Sequence, residues 1–132
     1  MYFPSYRMRR LRQSAMLRDL VSETDIGTGK LVYPLFVTHG NNVRNEIEAM
    51  PGCYQLSITN LAEEAAAVKE LGIGAVILFG VPADKDEAAS GAYDEEGIIQ
   101  MAVAAVKDRV LDLLVITDVC LCEYTSHGHC GI

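Results

Sequence analysis

The chain has 132 residues, of which 50% are apolar and 22% charged, with four Cys, no Trp and a net charge of −7. This length suits a single domain, and the apolar share excludes an intrinsically disordered chain. No apolar run approaches the ~18 to 20 residues of a membrane span, and the first ten residues lack the apolar segment of a secretory signal. We therefore expect an α/β protein of the reducing cytoplasm.

Charge is distributed unevenly between the start of the chain and its body. Five arginines and no acidic residue occur in the first 18 positions, whereas the remainder has a balance of −12. This basic arm is interpreted as a solvated helix start, as a surface that docks on another copy of the chain, or as a nucleic-acid contact. Tyr2, Phe3 and Tyr6 favour docking because aromatic side chains gain from burial. The acidic body disfavours nucleic acid.

Periodicity and turn residues predict alternating helices and strands. In chain order, the predicted elements are a helix over 11–24, a strand over 31–37, a turn over 38–45 and an irregular segment over 46–55. A second helix is predicted to begin at Thr59 or Asn60 and to end before Gly72. The remaining predicted elements are a strand over 75–81, a helix started by 94–96 and continuing over 98–110, and a strand over 113–119. Their composition predicts that both later strands are buried, the first of them on both faces.

The order helix, strand, helix, strand, helix, strand is typical of a parallel sheet with right-handed crossovers. A (β/α)8 barrel takes ~250 residues, about twice this length, so we expect a fragment of a longer protein. The predicted fold is α/β, the N-terminal part of a (β/α)8 TIM barrel. Residues 1–30 are predicted to form an extended helical arm, and residues 31–132 the first half of the barrel.

A cluster of cysteines follows the last predicted strand. Residues i and i+2 of a strand face the same side, so the sulfurs of Cys120 and Cys122 should converge, and a loop containing Gly128 can return Cys130 to them. Three ligands with an open fourth position are typical of catalytic zinc, and the carboxyl end of a strand is where such folds place active sites. The alternatives are small buried residues or a disulfide, which a reducing compartment disfavours.

Other candidates lie close by. Asp118 precedes the first of these cysteines by two residues and is interpreted as a pocket acid, a partner of the metal ligands or a solvated carboxylate. His129 is a candidate metal ligand. Ser126 and His127 are adjacent, and adjacent residues rarely reach the geometry of a nucleophile and its base. Cys53 lies beside a turn and is interpreted as a buried side chain without a chemical role.

The run from Val115 to Gly131, VITDVCLCEYTSHGHCG, resembles the porphobilinogen synthase (delta-aminolevulinic acid dehydratase) family in its zinc-dependent form. Further similar segments follow in family order: RMRRLR at 7–12, PLFV at 34–37, MPG at 50–52, LGI at 71–73 and LFG at 78–80. Magnesium-type relatives carry Ala and Asp in place of the three cysteines. Glu123 departs from the Pro that is usual after the second cysteine.

The resemblance implies condensation of two 5-aminolevulinate molecules to porphobilinogen with loss of water, in haem biosynthesis. It implies an octamer whose arms embrace neighbouring subunits. It also implies zinc on the three cysteines, Asp118 lining the pocket and His129 in a second, non-catalytic metal site.

The same resemblance places the family's two Schiff-base lysines beyond Ile132, and no lysine of this chain occupies the C-terminal end of a predicted strand. The chain is therefore expected to carry the metal half of a lyase site and to be inactive alone. One alternative is a non-catalytic zinc-binding half-barrel that associates with another chain. A thiol redox protein is a further alternative, although the cysteines lack the C-x-x-C spacing usual there.

Overall fold

The structure is a computed structural model that describes residues 3–7 and 9–131. Within these residues the chain forms one five-stranded sheet and three α-helices. The strands are β1 (Val32–Thr38), β2 (Arg44–Glu46), β3 (Tyr54–Leu56), β4 (Ala75–Val81) and β5 (Leu114–Thr117). The helices are α1 (Ala15–Leu20), α2 (Ile58–Glu70) and α3 (Ile98–Arg109), with short 3-10 segments at Arg9–Arg12, Thr28–Lys30 and Ser90–Ala92.

The sheet has the strand order β2-β3-β1-β4-β5, and all neighbours except β2 and β3 run parallel. The longest pairing joins β1 to β4 over their full lengths, from Val32 opposite Ala75 to Thr38 opposite Val81. Helix α2 connects β3 to β4, and α3 connects β4 to β5. The predicted α/β class with helical crossovers between parallel strands is confirmed.

The core forms where α2 and α3 pack on one face of the sheet. Each helix buries apolar residues three or four positions apart, which places them on a single stripe. Those residues are Leu61, Ala65 and Val68 of α2 and Ile98, Ala102 and Val106 of α3. They pack against alternate residues of the central strands, namely Leu35, Val37, Val76 and Leu78. The alternation follows from the two-residue period of a strand.

The opposite face of the sheet is only half-buried. Phe36 and Phe79 stack there with their ring centroids 5.3 Å apart, and Ile77 of β4 is also half-buried. In β5, Leu114 is 60% exposed. The predictions that β4 is buried on both faces and that β5 is buried are therefore wrong for the described chain, because the helices cover one face.

The predicted helix over 11–24 is confirmed only over its central part. The segment forms a 3-10 turn at Arg9–Arg12 and then the six-residue helix α1, whose N-cap Ser14 accepts a hydrogen bond from the amide of Leu17 at 3.2 Å. Met16 and Leu20 are each 81% exposed. Helices gain most of their stability from packing an apolar face, and these residues contact no core. The division into an arm at 1–30 and a barrel domain stays a prediction.

Part of the segment predicted as irregular, over 46–55, forms a small antiparallel pair. Glu46 of β2 lies opposite Tyr54 of β3, and the amide of Ile47 donates to the carbonyl of Cys53 at 2.9 Å. The turn between the two strands closes with a hydrogen bond from the Gly52 amide to the Glu46 carboxylate at 3.1 Å. Strands of three residues are too short for their alternation to stand out in a sequence.

Two helix starts differ from the predictions. Helix α2 begins directly after Ser57, ahead of the predicted caps Thr59 and Asn60. Helix α3 begins after Gly97, because Asp94 and the residues that follow it form a turn in which the Gly97 amide donates to the Asp94 carbonyl at 2.9 Å. None of the described helices combines the length and apolar content needed to cross a membrane.

Candidate metal centre

The parallel strands β1, β4 and β5 end at the same edge of the sheet, and the loops that follow them lie together there. The cysteines are in the loop after β5, which ends at Thr117. Cys120 and Cys122 therefore lie beyond the strand rather than on it, in a turn where the amides of Tyr124 and Thr125 both donate to the Leu121 carbonyl. The two-residue period of a strand, which we predicted to bring the Cys120 and Cys122 sulfurs together, is therefore wrong as the reason for their convergence.

The three cysteine sulfurs nonetheless converge. The Sγ of Cys120 lies 2.7 Å from that of Cys122 and 3.4 Å from that of Cys130. All three sulfurs lie within 4.8 Å of one another, so a single metal ion can contact them together. No disulfide joins them, and Cys53, the fourth cysteine, lies apart at the turn before β3.

Hydrogen bonds among the thiols shift the pKa values of Cys122 and Cys130 in opposite directions. The hydrogen bond between the Cys122 and Cys120 sulfurs, followed by burial, raises the pKa of the Cys122 thiol to about 12. The pKa of Cys130 is lowered, chiefly by the hydrogen bond between its sulfur and that of Cys120 and then by the backbone amides of Cys122 and Leu121. Metal binding must therefore displace protons from the cluster, since thiolates are the ligands.

Asp118 and His129 are not drawn into this sulfur cluster. Asp118 is exposed and, with Cys120, lines a cavity of about 530 Å³ whose apolar wall is shared by α3 and the loop after β5. The pKa of Glu123 is raised by burial and, to a lesser degree, by the Asp118 carboxylate. His129 is exposed and stacks on the ring of His127, with centroids 5.9 Å apart. Its predicted second metal site stays a prediction.

Three of the four lysines lie away from this edge. Lys30, Lys69 and Lys107 each donate to a backbone carbonyl, and for the last two these carbonyls belong to Asp112 and Leu113, just before β5. Lys69 and Lys107 therefore lie near the opposite end of the parallel strands, where β5 begins. The fourth, Lys85, is in the loop after β4 and lies near enough to Glu123 to oppose the rise in its pKa. No lysine lies at the end of a described strand, in agreement with the sequence analysis.

Tyr124 anchors the cysteine loop to the sheet and was missed by sequence reasoning. The residue is buried, and its hydroxyl approaches the backbone of Gly80, near the end of β4. A Cβ at Gly80 would lie 2.5 Å from that hydroxyl oxygen and 2.9 Å from Cγ1 of Ile99. The signal available was Gly80 itself, because a glycine inside an apolar strand often marks a close approach.

Asp86 organises the loop after β4 and was also missed. Its carboxylate accepts from the amides of Ala88 and Ser90 and from the Ser90 hydroxyl. The Ser90 hydroxyl, followed by the backbone amides, lowers the pKa of Asp86, so the group stays ionised at neutral pH. Its backbone forms a bridge with Thr125, which joins this loop to the cysteine loop.

We predict that Gly80→Ala destabilises the protein and weakens metal binding together. The new methyl group would collide with Tyr124, and such overpacking costs about 1–3 kcal/mol. Displacement of Tyr124 should then move the turn that carries Cys122. Urea unfolding and a zinc titration measure the two effects. Gly74→Ala is the matched control, since a Cβ there meets no atom within 4 Å; equal losses in the two variants would contradict the prediction.

A largely parallel sheet with helical crossovers, and a cluster of thiols able to bind a metal beyond the carboxyl ends of its parallel strands, define a candidate metal-dependent enzyme of the α/β class. The chain belongs to the delta-aminolevulinic acid dehydratase family, whose family model matches residues 5–132. The family predicted from the sequence is thereby confirmed.

Named relatives agree with this assignment. The delta-aminolevulinic acid dehydratase of Synechocystis sp. is 54% identical over 129 residues, which are 98% of this chain and 39% of the relative. That of Methanothermus sociabilis is 48% identical over 132 residues, which are 100% of this chain and 41% of the relative. The chain thus spans about two fifths of the length of these curated relatives.

A solved structure supports the fold. Porphobilinogen synthase (delta-aminolevulinic acid dehydratase) from Toxoplasma gondii, in complex with its reaction product porphobilinogen, superposes with a TM-score of 0.90 at 35% identity. The match covers 96% of this chain and 36% of that one. The chain therefore has the fold of one part of that enzyme, as the sequence predicts.

Proposed function

We propose that the chain forms the metal-binding part of a porphobilinogen synthase, a lyase that condenses two 5-aminolevulinate molecules to porphobilinogen with loss of water. Family membership supports the reaction, and the relative solved with porphobilinogen supports the product. The observation that carries the proposal within this chain is the convergence of three cysteine sulfurs at the carboxyl edge of a parallel sheet.

The donor set favours zinc. Thiolate ligands are soft and select zinc over magnesium or calcium, which prefer oxygen ligands. Cys120, Cys122 and Cys130 would hold the ion, and three protein ligands correspond to a catalytic rather than a structural site. Zinc bound there supplies a Lewis acid that can orient and polarise a substrate amine or carbonyl.

The chain's own side chains would shape the rest of this half of the site. The cavity beside Cys120 offers an apolar wall with the Asp118 carboxylate at its edge, which suits a small molecule that carries an amine. Asp118 would then bind or orient that amine by charge. No described lysine lies in this cavity, so we propose that the Schiff-base chemistry falls to residues outside the 132-residue sequence.

We further propose that the arm docks on another copy of the chain within a homo-octamer. Phe3, Met16 and Leu20 leave large apolar surfaces exposed among arginines, and the body of the chain is acidic. An apolar and basic arm is thus complementary to the surface of a second copy. The four unpaired cysteines suit a reducing compartment, which supports the cytoplasm as the location.

A chimeric enzyme tests the proposed function. The Methanothermus sociabilis relative aligns over all 132 residues, so this chain can replace the corresponding part of it with defined junctions. We expect the chimera to produce porphobilinogen from 5-aminolevulinate, to lose activity on chelation and to regain it with zinc but not magnesium. The 132-residue chain alone is expected to bind zinc and to form no product.

Two results would contradict this proposal. A chimera that binds zinc and is folded but forms no porphobilinogen would favour a non-catalytic zinc-binding half-barrel. Activity restored by magnesium in place of zinc would show that the three cysteines do not form the catalytic metal site. The unmodified relative, assayed in parallel, is the control for the chelation protocol.

A further inference from the structure

The third cysteine of the cluster lies on an exposed segment. Cys120 and Cys122 are half-buried, whereas Ser126, His127, Gly128, His129 and Cys130 are all exposed. A ligand on such a segment contributes to metal binding only if something restrains its backbone, because ordering a free loop costs conformational entropy. The buried residue that precedes this segment, Thr125, provides the restraint.

Thr125 is 1% exposed, and its hydroxyl donates to the carbonyl oxygen of His129 at 3.0 Å. That carbonyl belongs to the peptide group that joins His129 to Cys130. The backbone of Thr125 also accepts from the Gly128 amide at 3.3 Å, and Gly128 has a φ of +74°, which favours glycine. The segment therefore turns back on Thr125 and returns Cys130 toward the other cysteines.

Thr125 is itself held by hydrogen bonds within its own loop and by hydrogen bonds that join this loop to the loop after β4. Its amide donates to the Leu121 carbonyl at 3.0 Å, inside the turn that carries Cys122. On either side of it, the Tyr124 carbonyl accepts from the Asp86 amide at 3.2 Å, and the Ser126 amide donates to the Asp86 carbonyl at 2.9 Å. The loop after β4 thus fixes Thr125, and Thr125 fixes the peptide of the third ligand.

We propose that Thr125 is a positioning residue of the metal centre, whose buried hydroxyl holds Cys130 within reach of the ion bound by Cys120 and Cys122. The proposal rests on the proposed metal-binding function and adds a residue that binds no metal itself. Valine has nearly the shape of threonine and lacks the hydroxyl. In Thr125→Val the His129 carbonyl would turn to water, and Cys130 would lose its restraint while the other two cysteines keep theirs.

Cobalt(II) titration of the 132-residue chain tests the proposal, because cobalt reports thiolate ligation through its charge-transfer absorption. Loss of a residue that orients a metal ligand typically costs roughly 10- to 100-fold in affinity, and we expect a loss of this size in Thr125→Val. The charge-transfer absorption per bound cobalt should fall as well. Thr125→Ser retains the hydroxyl and should restore both the affinity and the spectrum.

The same substitution in a Cys130→Ser background separates positioning from general loosening of the loop. If Thr125 acts through Cys130, Thr125→Val should cost almost nothing further once that ligand is gone. An equal loss in both backgrounds would overturn the proposal, as would unchanged affinity in Thr125→Val. Should circular dichroism show that the valine variant is unfolded, Thr125→Ala compared with Thr125→Ser decides the same question.

The unsubstituted chain distinguishes the two levels of failure. If it binds no cobalt through thiolates, the proposed metal site fails and this inference fails with it. If it binds cobalt with thiolate charge transfer and every Thr125 variant matches it, only the role of Thr125 is overturned.

Discussion

Substitution of Cys122 by serine is expected to abolish tight zinc binding by the chain. The Cys122 sulfur lies 2.7 Å from that of Cys120, so its loss removes a ligand from the half-buried part of the cluster. A serine hydroxyl is a harder ligand and stays protonated at neutral pH. Loss of an outer partner of a metal ligand already costs roughly 10- to 100-fold, so loss of a ligand should exceed about 100-fold. Competition with a chromophoric chelator measures this affinity.

Cys53→Ser provides the matched control for that experiment. It removes the same thiol from a half-buried position at the turn before β3, outside the sulfur cluster. We expect its zinc affinity to equal that of the unsubstituted chain. Equal affinities for the Cys122 and Cys53 variants would show that the three converging sulfurs do not form the metal site.

Leu78→Ala is expected to cause a large loss of stability. Leu78 is fully buried in β4, between β1 and β5, and faces the apolar stripes of the helices. Truncation of a buried leucine leaves a cavity and costs about 2–5 kcal/mol. Because domains are stable by only about 5–15 kcal/mol, the urea midpoint should fall steeply. Zinc affinity of the folded fraction should change little.

Leu111→Ala is the control for the stability measurement. It makes the same chemical change at a side chain that is 82% exposed, just before β5. Surface substitutions of this kind typically change the free energy of unfolding by less than about 0.5 kcal/mol. A similar loss in both variants would mean that Leu78 does not belong to a packed core.

The candidate site was predicted more accurately than the geometry that produces it. Cysteine spacing and position after an apolar strand indicated the three ligands, and the sulfurs do converge. The strand period was the wrong cause, since Cys120 and Cys122 lie in a turn closed by Leu121. The supporting residues Tyr124 and Thr125 were missed because their roles depend on contacts with β4 and the loop after it, far earlier in the chain.

The fold shows the same division. The strand over 75–81 was recognised from its continuous apolar run, and the helix over 98–110 from its apolar spacing, because both are local patterns. The helix predicted over 11–24 forms only over Ala15–Leu20, because periodicity alone does not provide a surface to pack against, and the exposed Met16 and Leu20 lack one. The short strands β2 and β3 were missed because their pairing, rather than their composition, makes them strands.

The amino-acid sequence by itself determined the α/β class, the order of the main elements, the family and the identities of the three thiol ligands, since these follow from local patterns and residue chemistry. Only the tertiary structure decided which strands are neighbours, which face of the sheet is covered and what holds Cys130 in place. The physical reason is that these features depend on contacts between distant segments, whose free energies arise only when the folded chain brings them together.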